Sequence, residues 1–456
     1  FVGMLNGRQL SRFKLLNGKV VEEEALLTDR KERLQTPPQP IPKQIPEERI
    51  NNWREVYEGF NLEAAMVEAH RCIQCPAAPC TKACPVHNDI PGAFWELEHG
   101  DPIAAANIFR RTSTLPEMCG RLCPQEKLCE GHCVVGKNNK PVQIGKLESF
   151  VSDTQRRTTG LPRPELAPST GRRGAVVGAG PAGLAVAEYL VIQGHHCTVF
   201  DQWPEPGGVL LYGIPNFKLM KTVLDDKVNY LRDLGVEFVM NTRIGAETSV
   251  EELMKDGFDA VFLATGAPTG NRIGIPGEDL EGVIEATEFL VRGNLPRKKL
   301  PPEMRRPLPF TDRVVVIGGG DTSMDCVRTA RRLGAEHVTC VYRRTEAEMP
   351  GRVEERTNAR DEGVRLEFLV VPLAIIDDGQ GHVAGVRFQR VALGEPDESG
   401  RRRPEPIPGS EFEVEADIVV VAIGYRVDPT LAEALPGVEL EKWGTLRVDP
   451  ETMMTG

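Results

Sequence analysis

Eight of the eleven cysteines lie between Cys72 and Cys133. The first four, in "RCIQCPAAPCTKACP", are Cys72, Cys75, Cys80 and Cys84, spaced C-x2-C-x4-C-x3-C-P. The second four follow as Cys119-x3-Cys123-x5-Cys129-x3-Cys133. Thiols this dense serve as disulfide staples, zinc ligands or iron–sulfur ligands. The opening "FVGMLNGRQLSRF" has no signal-peptide core. The expectation is a reducing, cytoplasmic setting, where clustered cysteines are more often metal or redox groups than disulfides. Zinc sites use paired short spacings and tetrahedral closure; eight cysteines would hold two zincs, with His87 or His132 able to join. Iron–sulfur clusters also take four thiolates, and in two-cluster ferredoxins the Cys before Pro serves the other cluster. Cys84-Pro85 invites the same crossing. Cys197, Cys326 and Cys340 are scattered, and Cys326 and Cys340, which form no C-x-x-C pair, read as ordinary buried thiols.

A second chemistry is written in glycine. Gly178, Gly180 and Gly183 form G-x-G-x-x-G between the apolar run "AVV" and the helical "LAVAEYLVIQG". The first glycine makes a tight turn, the second lets the backbone approach a pyrophosphate, and the third lets helix and strand pack closely. The helix start, at Pro181 and Ala182, offers unpaired N–H groups to phosphate. Asp201 closes the next strand, where a carboxylate suits ribose hydroxyls. Gly207 and Gly208, with Gly213 beyond, either let a flat ring lie against backbone or form a plain loop. Thr265 and Gly266 end a later strand, "FDAVFLATG".

"VVVIGGGDTS" repeats the pattern with Gly318, Gly319 and Gly320, then Asp321, Thr322 and, in place of the third glycine, Ser323. The following strand ends in Arg343 and Arg344 where a carboxylate would repel a 2′-phosphate. Guanidinium groups bind that phosphate, so NADPH is expected over NADH. The alternative is a solvated arginine pair on a domain rim. Gly424 ends the matching late strand, "ADIVVVAIG". Two nucleotide sites in tandem point to one flavin and one nicotinamide, whose hydride transfer needs alignment rather than a side-chain base. No catalytic acid or base is therefore named.

Elements must hold these groups. Proline-rich stretches at 36–46, 160–171 and 294–309 punctuate the chain, and the last two read as domain boundaries. Before residue 160 the texture is helical, with Asn61 as an N-cap and Asp101-Pro102 as a cap followed by proline. After 171 it becomes strand, glycine turn and helix, twice over, predicting two Rossmann-like parallel α/β domains. A length of 456 residues exceeds one ordinary core. The net charge of −11 argues against a nucleic-acid partner. The sequence has no apolar run long enough for a membrane span.

In order, "CIQCPAAPCTKACP", "CGRLCPQEKLCEGHC", "VVGAGPAGLA", "GGVLLYGIPNFKL", "FDAVFLATGA", "GGGDTSMDC" and "YRR" resemble the small (β) subunit of bacterial NADPH-dependent glutamate synthase. They are also similar to the N-terminal electron-input half of dihydropyrimidine dehydrogenase. The resemblance covers essentially the whole chain. It implies an all-helical domain with two 4Fe–4S clusters over 1–165 and a glutathione-reductase-type FAD domain over 166–300. An NADPH domain over 301–426 and a return to the FAD domain over 427–456 would follow. Cys72, Cys75, Cys80 and Cys133 would hold one cluster, and Cys84, Cys123 and Cys129 the other, with Cys119 spare. The last ligand would be Glu148 in "KLESF", where the related dehydrogenase has Gln. The alternative is that Cys119 is the ligand and Glu148 an exposed helix acid.

The implied partner is the large synthase subunit, in a hetero-oligomer making two L-glutamate from L-glutamine and 2-oxoglutarate. No glutaminase motif is recognisable, and Phe1 is not an N-terminal Cys nucleophile, so amination falls to that partner. The family pattern runs past "ETMMTG" to a flavin-contacting Gly-Asp segment and a final helix. The expectation is that the chain continues beyond this point.

Overall fold

The computed structural model describes residues 12–16, 19–23, 30–245, 247–309, 311–396, 400–428, 438–441 and 444–455. The chain forms two compact units. One comprises Phe1–Pro42 and Gly59–Gly160, the other Lys43–Glu58 and Leu161–Gly456. Lys43–Glu58, placed by sequence in the helical domain, thus packs with the nucleotide domains. Of the expected return segment 427–456, residues 429–437, 442, 443 and 456 lie outside the described residues.

The first unit is helical apart from an antiparallel ladder of Arg12–Leu16 with Lys19–Glu23. Its main helices are α1 (Leu62–His70), α2 (Ile90–Glu98), α3 (Pro102–Arg110), α4 (Pro116–Leu122) and α5 (Ile144–Thr158). Three starts are capped by side chains: Asn61 accepts from Ala64 N, Asp89 from Gly92 N and Asp101 from Ala104 N. Each cap satisfies an N–H that the helix leaves unpaired. Ala65, Ala69, Phe94, Leu97, Ala105, Phe109, Leu147 and Val151 fill the core, with Phe94 edge-on to Phe109 at 6.3 Å. Gly120 lets α4 press onto α5: a Cβ there would stand 2.6 Å from Ser149 N and 2.7 Å from Gly145 O. That approach brings Cys119 of α4 beside Glu148 of α5.

The second unit carries two parallel sheets. The first contains β1 (Arg173–Val177), β2 (His196–Phe200), β3 (Glu237–Val239) and β4 (Ala260–Leu263), in order β3-β2-β1-β4, with helix α6 (Pro181–Ile192) between β1 and β2. The second begins with β5 (Val283–Glu285), ahead of the 294–309 proline stretch that sequence takes as the domain boundary. It continues with β6 (Arg313–Ile317), α7 (Asp321–Arg332), β7 (His337–Tyr342), α8 (Val353–Asp361) and β8 (Arg365–Phe368). An antiparallel sheet of β9 (Val370–Asp377), β10 (Val383–Pro396) and β11 (Arg402–Glu415) intervenes before β12 (Ile418–Val421). The parallel order is β8-β7-β6-β12-β5. In both parallel sheets the chain runs outward from the glycine-turn strand, β1 or β6, then crosses to its other side. That places each glycine turn at the topological switch point, where open α/β sheets bind ligands.

Buried charge ties the second unit together. The Glu362 carboxylate receives Arg49 Nε at 2.8 Å, Arg328 Nη2 at 3.0 Å and Arg332 Nη1 at 2.7 Å. Phe217 lies under two of these guanidinium groups, 4.5 Å from Arg328 and 4.0 Å from Arg332. Its neighbour Lys218 pairs with Asp325 at 2.9 Å. Among the described residues no helix is long and apolar enough to cross a membrane.

Candidate functional site

Cys72, Cys75, Cys80 and Cys133 line one cavity, walled by apolar side chains that include Ile73, Ile90, Phe94 and Val135. None of the eleven cysteines is disulfide-bonded. Burial pushes the Cys72 thiol up, and Cys80 to about 11. Such a cavity disfavours bare thiolates and suits a group that brings positive iron with it. Among the described residues no three Cys, His, Asp or Glu side chains converge as they would around a single ion. A cubane takes four thiolates on four separate irons, so its ligands surround a volume, as these do. Arg33, 1% exposed, donates to the carbonyl of Cys72 at 2.8 Å and forks onto Glu98 at 2.7 and 2.9 Å.

Cys84, Cys119, Cys123 and Cys129 form a second group in the helical unit. Cys84, Cys119, Cys129 and Glu148 all act on the ionisation of Cys123. Hydrogen bonding from Cys119 lowers Cys123, while the same bond holds the Cys119 proton in place. Glu148 is no exposed helix acid: it is 6% exposed on α5. Burial, then the nearby Cys119 and Glu117, raises it well above the carboxylate range. Its one hydrogen bond among the described residues comes from Asn88 Nδ2 at 3.3 Å, and no cation pairs with it. A buried carboxylate without a cation is costly. Beside three thiols, it has the donor chemistry to complete a cluster site.

At the first glycine turn, Gly178 has φ +109, and a Cβ there would meet Ala264 O at 2.3 Å. A Cβ on Gly183 would stand 1.9 Å from Gly178 O, so glycine is required where α6 crosses β1. Pro181 and Ala182 open α6, as expected for a phosphate-facing start. Asp201 sits at the end of β2, but its carboxylate braces the turn, accepting from Ala179 N at 2.7 Å and Trp203 N at 2.9 Å. Gly207 N donates to Ala179 O at 2.8 Å, and Gly208 then caps a short helix, Val209–Tyr212, so that this segment lies across the turn. Lys221, which sequence passed over, holds the end of that helix, donating to Leu210 O at 2.7 Å and to Ile214 O. Burial lowers its pKa to about 7. Thr265 and Gly266 follow β4 beside the turn.

The second turn repeats this architecture. A Cβ on Gly318 would meet Ala422 O at 2.1 Å, and one on Gly319 the Tyr342 ring at 2.4 Å. Gly320 faces open space at the start of α7. Ser323 stands in for the third glycine fully buried, its hydroxyl 3.4 Å from Ala422 O. Asp321 opens α7 beside Thr322, its carboxylate accepting from Arg352 N at 2.9 Å. Gly351 N donates to Gly319 O at 2.9 Å, the counterpart of Gly207 on Ala179. Gly351 and Arg352 were missed from sequence, although "EMPGR" after the second strand echoes "PEPGG" after the first. The arginine pair divides. Arg343 is exposed, whereas Arg344 is 3% exposed and its Nε donates to Arg402 O at 2.7 Å. Gly424 precedes the short ladder that joins Tyr425–Arg426 to Thr269–Gly270.

Two nucleotide turns at parallel switch points, with a helical thiol unit ahead of them, define a nicotinamide-dependent iron–sulfur oxidoreductase. Residues 49–159 match the family described as dihydropyrimidine dehydrogenase domain II, 4Fe-4S cluster. Residues 172–455 match pyridine nucleotide-disulphide oxidoreductase. The chain is 43% identical over 401 residues to the glutamate synthase (NADPH) small chain of Escherichia coli, covering 87% of this chain and 84% of that one. It is 42% identical over 416 residues to the putative oxidoreductase AegA of the same organism, covering 89% of this chain and 62% of AegA, less than two thirds of its length. The chain belongs to the family of glutamate synthase small chains and the oxidoreductases built on their plan. Mycobacterium tuberculosis FprA shares the fold over 62% of this chain and 76% of its own, at TM-score 0.52 and 21% identity.

Proposed function

We propose that the chain is the electron-input subunit of a glutamate synthase. It oxidises NADPH at FAD and passes electrons through two 4Fe–4S clusters to a large subunit. That partner makes two L-glutamate from L-glutamine and 2-oxoglutarate. FAD supplies the conversion of a hydride into single electrons. The observation that carries this reading is the four-thiol apolar cavity in the same chain as two switch-point glycine turns.

The roles of the chain's own residues follow from position. Gly178, Gly180 and Gly183 admit the FAD pyrophosphate, Asp201 braces their turn, and Gly207 and Gly208 lie along it. Gly318, Gly319 and Gly320 admit the NADPH pyrophosphate. Arg343 meets the 2′-phosphate and Arg344 anchors the strand end behind it. Cys72, Cys75, Cys80 and Cys133 hold one cluster. Cys84, Cys123, Cys129 and Glu148 hold the other, with Cys119 as donor to Cys123.

A second reading sends the electrons to ferredoxin or a pyrimidine-reducing partner; the match of residues 49–159 to dihydropyrimidine dehydrogenase domain II favours it. The test is co-purification of the natural partner, followed by NADPH oxidation with and without L-glutamine plus 2-oxoglutarate. Oxidation that requires both substrates supports the synthase. Oxidation indifferent to them sinks it in favour of the second reading. A colourless, iron-free chain sinks both.

A further inference from the structure

We propose that Asn88 is a positioning residue for the second cluster, turning the Glu148 carboxylate toward Cys84, Cys123 and Cys129. This rests on the reading of Glu148 as a ligand. Asn88 lies four positions beyond Cys84 and is 3% exposed. Its Nδ2 donates to Glu148 Oε1 at 3.3 Å, and its Oδ1 accepts from Thr112 Oγ1 at 2.7 Å. The two contacts fix which way the amide faces. A carboxylate only accepts, so it must meet the NH2 end, and the Thr112 hydroxyl takes the other end.

The alternatives for orienting Glu148 are few. Cys119 and Glu117 act on it by repulsion, and Asn88 is the donor that offsets them. Among the described residues Oε2 has no hydrogen-bond partner, so one oxygen is held and the other is free for iron. Asn88 also joins the loop carrying Cys84 to the helix carrying Glu148. It thereby couples two elements that must present ligands to one cluster. Outer-shell partners of this kind fix ligand direction and tune the metal.

The test uses the full chain with both clusters reconstituted. EPR spectra, midpoint potentials and iron release to a chelator are measured for Glu148→Ala, Asn88→Ala, Thr112→Val and Thr112→Ser. Asn88→Ala and Thr112→Val are expected to shift the signal and potential of the same cluster that Glu148→Ala alters. They should also speed its iron release by about tenfold, leaving the other cluster unchanged. Thr112→Ser keeps the hydroxyl and should match the parent. If Glu148→Ala alters a cluster while Asn88→Ala and Thr112→Val match the parent, Asn88 has no positioning role and the ligand reading survives. If Glu148→Ala leaves both clusters unchanged, the ligand reading falls and takes the inference with it. Equal damage to both clusters by Asn88→Ala and Thr112→Val marks a merely structural role and overturns the proposal. Should Asn88→Ala fail to fold, the Thr112 pair decides alone.

Discussion

The Cα of Gly180 stands 2.6 Å from the point that a Cβ on Gly208 would occupy. Neither position can swing aside, because the Cα is backbone at the start of α6 and a Cβ is fixed by the backbone at the start of the Val209–Tyr212 helix. Gly208 also has φ +52 with ψ −132, a backbone region that costs other residues roughly 1–3 kcal/mol. Gly208→Ala should therefore lose most of its flavin, read as flavin absorbance per purified chain. Gly274 has φ +81 but open space around it, so Gly274→Ala suffers strain without overlap and should keep its flavin. Equal flavin in the two variants would contradict the close approach at the first turn.

The division of the arginine pair gives two different expected failures. Arg343→Ala should weaken NADPH by about 10- to 100-fold, the loss of a charged hydrogen bond, with little change for NADH. Arg344→Ala should act on stability, because its guanidinium is buried against Arg402 O. It should lower the melting temperature while leaving the preference for NADPH largely intact. A loss of cofactor preference in Arg344→Ala alone would reverse the two roles.

Glu362 makes stability depend on acid. Burial would raise its pKa, but Arg328 and Arg332 outweigh burial and hold it at about 2. In the unfolded chain the group titrates near ~4.3. Its contribution is therefore complete above that value and disappears as the pH falls toward the folded one. Melting measured from neutral pH down to about that folded value should show the loss in the parent and a flatter profile in Glu362→Gln. The variant should be less stable at neutral pH by about 3–5 kcal/mol, as three guanidinium groups lose a shared carboxylate.

Arg33 links an ion pair to Cys72, a proposed cluster ligand. Arg33→Met removes the donor to Cys72 O and leaves the Glu98 carboxylate, 4% exposed, without it. The expected result is a drop of about 3–5 kcal/mol and reduced iron per chain. Arg33→Met combined with Glu98→Gln removes the stranded charge and should recover part of the stability but not the hold on Cys72. Full recovery of iron in the double variant would show that the contact to Cys72 does not matter.

Much of the nucleotide architecture was legible because glycine leaves a signature that other residues cannot imitate. Gly178, Gly183 and Gly318 sit where any Cβ would strike a carbonyl oxygen. The helix caps Asn61 and Asp101 were legible for a similar reason, since short polar side chains serve unpaired N–H groups. Arg344 was not. A guanidinium pair looks the same in sequence whether it faces solvent or a buried strand, and only β11 decides it. That strand was itself obscured by Pro404, Pro406 and Pro408, which are tolerated because β11 is a sheet edge. The strand Val283–Glu285 has three residues, too few for a period. Asn88 carried no signal, because its function depends on Thr112 and Glu148, distant in sequence.

The membership of Lys43–Glu58 in the second unit means that the peptide passes between units after Pro42, after Glu58 and after Gly160. Neither unit is then the product of one uninterrupted stretch of gene. A single recombination breakpoint at residue 160 would hand on the thiol-bearing unit together with a stray piece of its neighbour. The nucleotide unit left behind would lack Arg49, one of the three cations around Glu362. The two units are thus interleaved along the chain, and no single cut separates them cleanly.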